Sequence, residues 1–150
     1  MYKIFISIFF VFSIFFIKVD ASEDSISRFT ADYLKRINDY ISEDDFENAI
    51  RELTILSTRY YLNEQSYERS LINQLWGNVY AMQASYEKAI DSYEAALRFR
   101  RIPLITNLQV RTNLAQCYFQ VKNFKKVIEV LLEYKNQAEK RGQEFSPKNR

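Results

Sequence analysis

The sequence predicts an all-α protein, and three observations carry that prediction. Breakers are scarce, since the 150 residues hold only two glycines and two prolines, and long stretches run without the punctuation that ends elements. Apolar residues recur at spacings of three and four rather than two, the period of a helix with one buried face. The same helix is also written three times: "DDFENAIREL", "ASYEKAIDSYEAAL" and "KNFKKVIEVL" follow one another at intervals of forty and thirty-eight residues.

The chain opens with a segment that reads as a targeting signal. Lys3 gives a positive start, Ile4 to Ile17 is an almost unbroken apolar run, and Val19 and Ala21 are the small residues before a cut. The run is short of the roughly 20 apolar residues that cross a bilayer, and no cysteine follows it to carry a lipid. Residues 1–21 are therefore expected to be a signal peptide removed before Ser22. Ser22 to Arg150 then leaves 129 residues, enough for one domain with a real core.

Within 22–145 the three echoes align on their aromatic residues. Tyr40, Tyr80 and Tyr118 are each followed six residues on by Phe46, Tyr86 and Phe124, and nine residues on by Ala49, Ala89 and Val127. Each unit reads as two helices joined by a tight turn, with a small residue where the second crosses the first, because small residues let helix axes approach. The units are expected over about 30–62, 68–102 and 105–141, followed by a tail at 146–150. "SEDDFE" is the charged turn leading into a helix, where carboxylates suit the N-terminal dipole. Pro103 fits the first turn of the helix after it, where a missing N–H costs nothing. Val127, larger than Ala49 and Ala89, should make the third crossing looser, and Gly142 is placed to end the last helix in a left-handed conformation.

The composition also excludes chemistry. There is no histidine, which removes the usual zinc sites and the common nucleophile–base pairs. Two glycines cannot build a phosphate-cradling loop or a dinucleotide fingerprint. Cys117, the only cysteine, allows no internal disulfide and is expected to be a small buried or half-buried apolar residue. No cofactor, metal site or enzymatic activity is expected. After removal of the leader, 19 basic residues face 18 acidic ones, too even a balance for a dedicated nucleic-acid binder. The distribution is uneven, however, with 11 acidic and 6 basic residues over 22–85 and 7 acidic and 13 basic over 86–150. Such polarity could stack copies head to tail or orient the molecule on a charged partner. The basic run "RFRR", Arg98 to Arg101, sits at a helix end where positive charge suits the dipole.

The units resemble the tetratricopeptide repeat, a helix–turn–helix of about 34 residues. The middle unit carries Trp76-Gly77, Tyr80, Ala89, Tyr93 and Ala96; the last has Leu114, Ala115, Tyr118, Val127 and Leu131, with Tyr134 at the final small position; the first keeps Tyr40 and Ala49 but has Ile37 at the small position. Over Phe46 to Tyr134 the wording is similar to exported repeat proteins that accompany TonB-type energy-transduction systems of the bacterial envelope. The most specific pieces are Asn63 with Tyr67-Glu68, Ile102-Pro103, and Leu114-Ala115-Gln116 with Tyr118-Phe119. The resemblance implies a right-handed α-solenoid of about three repeats in the periplasm, in contact with a membrane only indirectly.

A solenoid of this kind exposes a concave groove that captures peptides or helices of another envelope protein. By the repeat's geometry Asn38, Asn78 and Gln116 hold equivalent places in that groove, with Gln74 and Thr112 one turn earlier. Carboxamides offer both a donor and an acceptor, so a row of them can hold an extended backbone. The outer face of the last helix, with Val130, Leu131 and Tyr134, has nothing to cover it, and self-association through that end or a capping partner is expected. The function expected is a non-enzymatic scaffold or adaptor; the alternative is a self-assembling protein whose homo-oligomer is the functional unit.

Overall fold

The computed structural model describes residues 26–59, 67–98 and 102–144, and among them the regular secondary structure is helix alone. The proposed leader, Asn63 and most of the run Arg98–Arg101 lie outside the described residues. The six helices are α1 (Arg28–Ser42), α2 (Phe46–Arg59), α3 (Tyr67–Met82), α4 (Tyr86–Leu97), α5 (Leu104–Gln120) and α6 (Phe124–Glu144). Extensive packing joins helices that are neighbours in sequence, from α1 on α2 to α5 on α6.

Three helix pairs are closed by the same turn. The N–H of Asp45, Ser85 and Asn123 donates to the carbonyl of Tyr40, Tyr80 and Tyr118, at 2.9, 2.8 and 2.9 Å. The residue before each donor, Asp44, Ala84 or Lys122, is left-handed, with φ of 58, 56 and 59°. None of the three is glycine, so each turn holds a side chain in a conformation disfavoured by about 1–2 kcal/mol. The aromatic register in the sequence is thus a register of backbone geometry.

Local signals start the helices. The Ser27 hydroxyl accepts the Thr30 N–H at 3.1 Å and caps α1. Asp45 does the same for α2, taking the Asn48 N–H at 3.1 Å and its side-chain amide at 2.6 Å. These bonds favour the carboxylate, with the side-chain one first, and hold its pKa below the usual value. Asn123 accepts the Lys126 N–H at 3.3 Å ahead of α6. Pro103 stands just outside α5 as its N-cap, and its carbonyl takes the Asn107 N–H at 2.9 Å.

The core forms two clusters along the stack. In one, Ile37 and Leu34 of α1, Leu53 and Leu56 of α2, and Leu71, Ile72 and Val79 of α3 meet. In the other, Ala89, Tyr93 and Ala96 of α4 meet Val110, Leu114 and Cys117 of α5, with Val130 of α6. Each fully buried leucine or isoleucine contributes roughly 1.5–3 kcal/mol. Ala49 and Ala89 are completely buried, whereas Val127 is only half-buried. Ile37 is completely buried despite its size.

Two expectations about the last helix are corrected. It does not stop at Gly142 but runs through it to Glu144, and no described glycine has positive φ. One glycine in a 21-residue helix costs only about 1 kcal/mol, too little to end it without a competing cap. Val130 faces the core and is 6% exposed, clustered with buried residues of α4 and α5.

Candidate interaction surfaces

The five carboxamide and hydroxyl residues expected to line a groove have different fates. Asn78 is engaged inside the stack: its Oδ1 accepts the Tyr93 hydroxyl of α4 at 2.8 Å and the Asn113 Nδ2 of α5 at 3.4 Å. Thr112 is exposed and turns its hydroxyl back onto the Leu108 carbonyl at 3.0 Å. Gln74 is buried, and its Oε1 has no hydrogen-bond partner. Leaving such an acceptor dry costs about 1–3 kcal/mol. Asn38 and Gln116 are half-buried. Among the described residues, no hydrogen bond joins any of these five to another.

The first helices of the pairs are nevertheless tied together. Glu68, in the first turn of α3, accepts the Ser27 N–H at 2.8 Å and the Thr30 hydroxyl at 2.9 Å, joining the starts of α1 and α3. Asn78 and Asn113 make the corresponding link between α3 and α5. On the other side, the Trp76 indole N–H donates to the Ser57 hydroxyl at 2.9 Å and its ring stacks on Tyr80, with centroids 5.4 Å apart.

A cleft of about 250 Å³ lies where α4, α5 and α6 meet, with Leu97, Leu114 and Val130 among its apolar walls. Its charges largely satisfy one another. The Tyr118 hydroxyl donates to Glu94 at 2.5 Å, Arg111 pairs with Glu133, and Lys126 pairs with Glu129 at 2.9 Å. Burial, then the bond to Glu94 and the neighbouring carboxylates, push the Tyr118 phenol above its ordinary pKa. The phenol is therefore a donor here and not a base. Cys117, on the same helix, is buried and its thiol is pushed up to about 12 by that burial. A neutral, buried thiol is a poor nucleophile.

The sequence reading missed the extent of the apolar face on α6. Phe124, Ile128, Leu131 and Leu132 are 48–60% exposed, Tyr134 is 36% exposed, and Phe119 at the end of α5 meets Phe124 edge-on, with centroids 5.7 Å apart. Leu131 and Tyr134 hold the places that Leu53 and Leu56 hold in α2, and Tyr93 and Ala96 in α4, all four completely buried. The register that exposes this comparison was present in the sequence. Among known proteins, no family model, no curated protein and no solved structure matches the chain.

Proposed function

We propose that this protein is a non-enzymatic scaffold that binds another protein, built as a right-handed solenoid of three tetratricopeptide-like repeats. The observation that carries the reading is the packing order: helix pairs with one shared turn geometry pack on their sequence neighbours. An array of that kind spreads its surface instead of enclosing a pocket, and its use is extended contact with a partner. The half-buried Asn38 and Gln116 and the exposed Thr112 support a polar groove along the first helices. The leader-like residues 1–21 and the resemblance to exported TonB-associated repeat proteins support an exported, periplasmic adaptor of an envelope complex, accessory to energy transduction.

The test is photo-crosslinking in the cell from a reactive residue at Asn38 or Gln116, with the exposed Asp91 as control. Capture of one distinct envelope protein from both groove sites, and not from Asp91, is expected. Equal capture from all three sites would remove the groove.

A further inference from the structure

The first and last helix pairs among the described residues present different outer faces, and the difference specifies what the α6 face takes. Counting back from the turn tyrosine by eight, five, four and one residues, α3 presents Ile72, Leu75, Trp76 and Val79, and α5 presents Val110, Asn113, Leu114 and Cys117. Most of these side chains are buried against the preceding pair, in clusters with Leu53 and Leu56 or with Tyr93 and Ala96. At the same places α1 carries Asp32, Lys35, Arg36 and Asp39, all exposed. The first pair is thus closed by charge. In the last described pair Leu131 and Tyr134, at the places that a following helix covers in the earlier pairs, are exposed among the described residues.

We infer that the α6 face binds an acidic amphipathic helix of a partner protein, with apolar residues at i, i+3, i+4 and i+7, seated on Ile128, Leu131 and Tyr134. The spacing is the one by which α3 and α5 cover their predecessors. The acidic character follows from charge. Lys126, Lys135 and Arg111 pair with Glu129, Glu139 and Glu133, whereas Lys122 and Lys125, around the start of α6, make no ion pair among the described residues. A second copy fits poorly in either arrangement. Head-to-tail stacking would press the charged face of α1 onto Leu131 and Tyr134, desolvating charges against apolar carbon. Pairing α6 with α6 would leave Lys122 and Lys125 of each copy without an acidic partner, since Glu129, Glu133 and Glu139 are already paired.

The inference rests on the scaffold reading and is tested on the full mature chain with a defined probe. The probe is a fluorescein-labelled synthetic helix with leucines at the four positions, and alanines and a few glutamates elsewhere; the control has the same composition with the leucines scattered. Anisotropy titration should show saturable binding of the probe that weakens with salt, and binding of the control about tenfold weaker. Leu131→Asn should weaken probe binding about tenfold with the helical spectrum retained. Lys122→Glu combined with Lys125→Glu, which leaves the apolar face untouched, should also weaken it. Equal binding of probe and control, or no effect of Leu131→Asn, would overturn the assignment. So would a wild-type dimer in sedimentation equilibrium that Leu131→Asn converts to monomer, since a second copy would then own the face. If the probe fails while crosslinks from Asn38 and Gln116 persist, only the α6 assignment falls; if both fail, the scaffold reading falls with it.

Discussion

Gly77→Ala should destabilise the protein although it replaces a glycine in the middle of a helix. A Cβ at position 77 would lie 2.5, 2.6 and 2.8 Å from Cε1, Cδ1 and Cζ of Tyr93. Ordinary contact needs the ring about 1 Å further away. The ring has nowhere to go: it is completely buried, and its hydroxyl is held by Asn78 at 2.8 Å. Overpacking of this kind costs about 1–3 kcal/mol, and a ring fixed at its far end belongs near the top of that range. Replacing glycine within a helix returns about 1 kcal/mol. The net loss is about 2 kcal/mol, or roughly 8 °C in melting temperature for a domain of this size. Denaturant unfolding followed by circular dichroism, and by the fluorescence of the single tryptophan, measures it. The decisive control is the background. With Tyr93→Leu the obstructing ring is gone, only the helix-propensity gain remains, and Gly77→Ala should change sign and stabilise by about 0.5–1 kcal/mol. A neutral or stabilising effect in the wild-type chain, or equal losses in both backgrounds, would refute the claim that the approach of α3 to α4 requires glycine here.

Three further outcomes are expected. Ala84→Gly should stabilise by about 0.5–1 kcal/mol, since relief of a left-handed alanine at φ 56° outweighs the added freedom of the unfolded chain; thermal melting reads it. Cys117, buried with its thiol pushed up to about 12, should resist a thiol reagent at pH 8 and react at the rate of unfolding, so modification should quicken with denaturant. Asp45 has a folded pKa below its ordinary 3.8, so its stabilising contribution is present above pH 3.8 and lost as pH falls through the lower folded value. Asp45→Asn, which keeps an N-cap but cannot titrate, should flatten that part of the acid limb of stability against pH.

Much of the fold was legible because the signals were local and periodic. The spacing of Tyr40, Tyr80 and Tyr118 marks three turns whose carbonyl acceptors are those same tyrosines, and the alanines nine residues on in the first two pairs are completely buried. Gly142 does not stop α6, because a glycine ends a helix only when a competing cap wins, and glycine identity alone does not supply one. The side-chain surface was less legible. Helical phase gives the direction in which a residue points, but burial depends on which neighbour arrives, so phase alone does not separate the buried Val130 from the exposed Ile128 and Leu132. The charged face of α1 could have been found by extending the tyrosine register back to Asp32, Lys35, Arg36 and Asp39.

Asn78 shows why equivalent positions do not imply equivalent roles. By register it matches Asn38 and Gln116, and as a carboxamide it can serve either a partner or the protein itself. The presence of Gly77 decides between them. Gly77 lets the Tyr93 ring lie against α3, which brings its hydroxyl to Asn78 Oδ1, and the second lone pair of that oxygen takes Asn113 from α5. The first pair has Ile37 in place of Gly77 and Leu53 in place of Tyr93, so no phenol reaches Asn38. The third has Ala115 and Leu131, so none reaches Gln116. Asn78→Ala should therefore lower stability by about 1–3 kcal/mol, because it strands the buried Tyr93 hydroxyl. The same truncation at Asn38 or Gln116 should leave stability within about 0.5 kcal/mol. If truncation at Gln116 instead costs as much as at Asn78, the middle pair is not special and the account built on Gly77 fails.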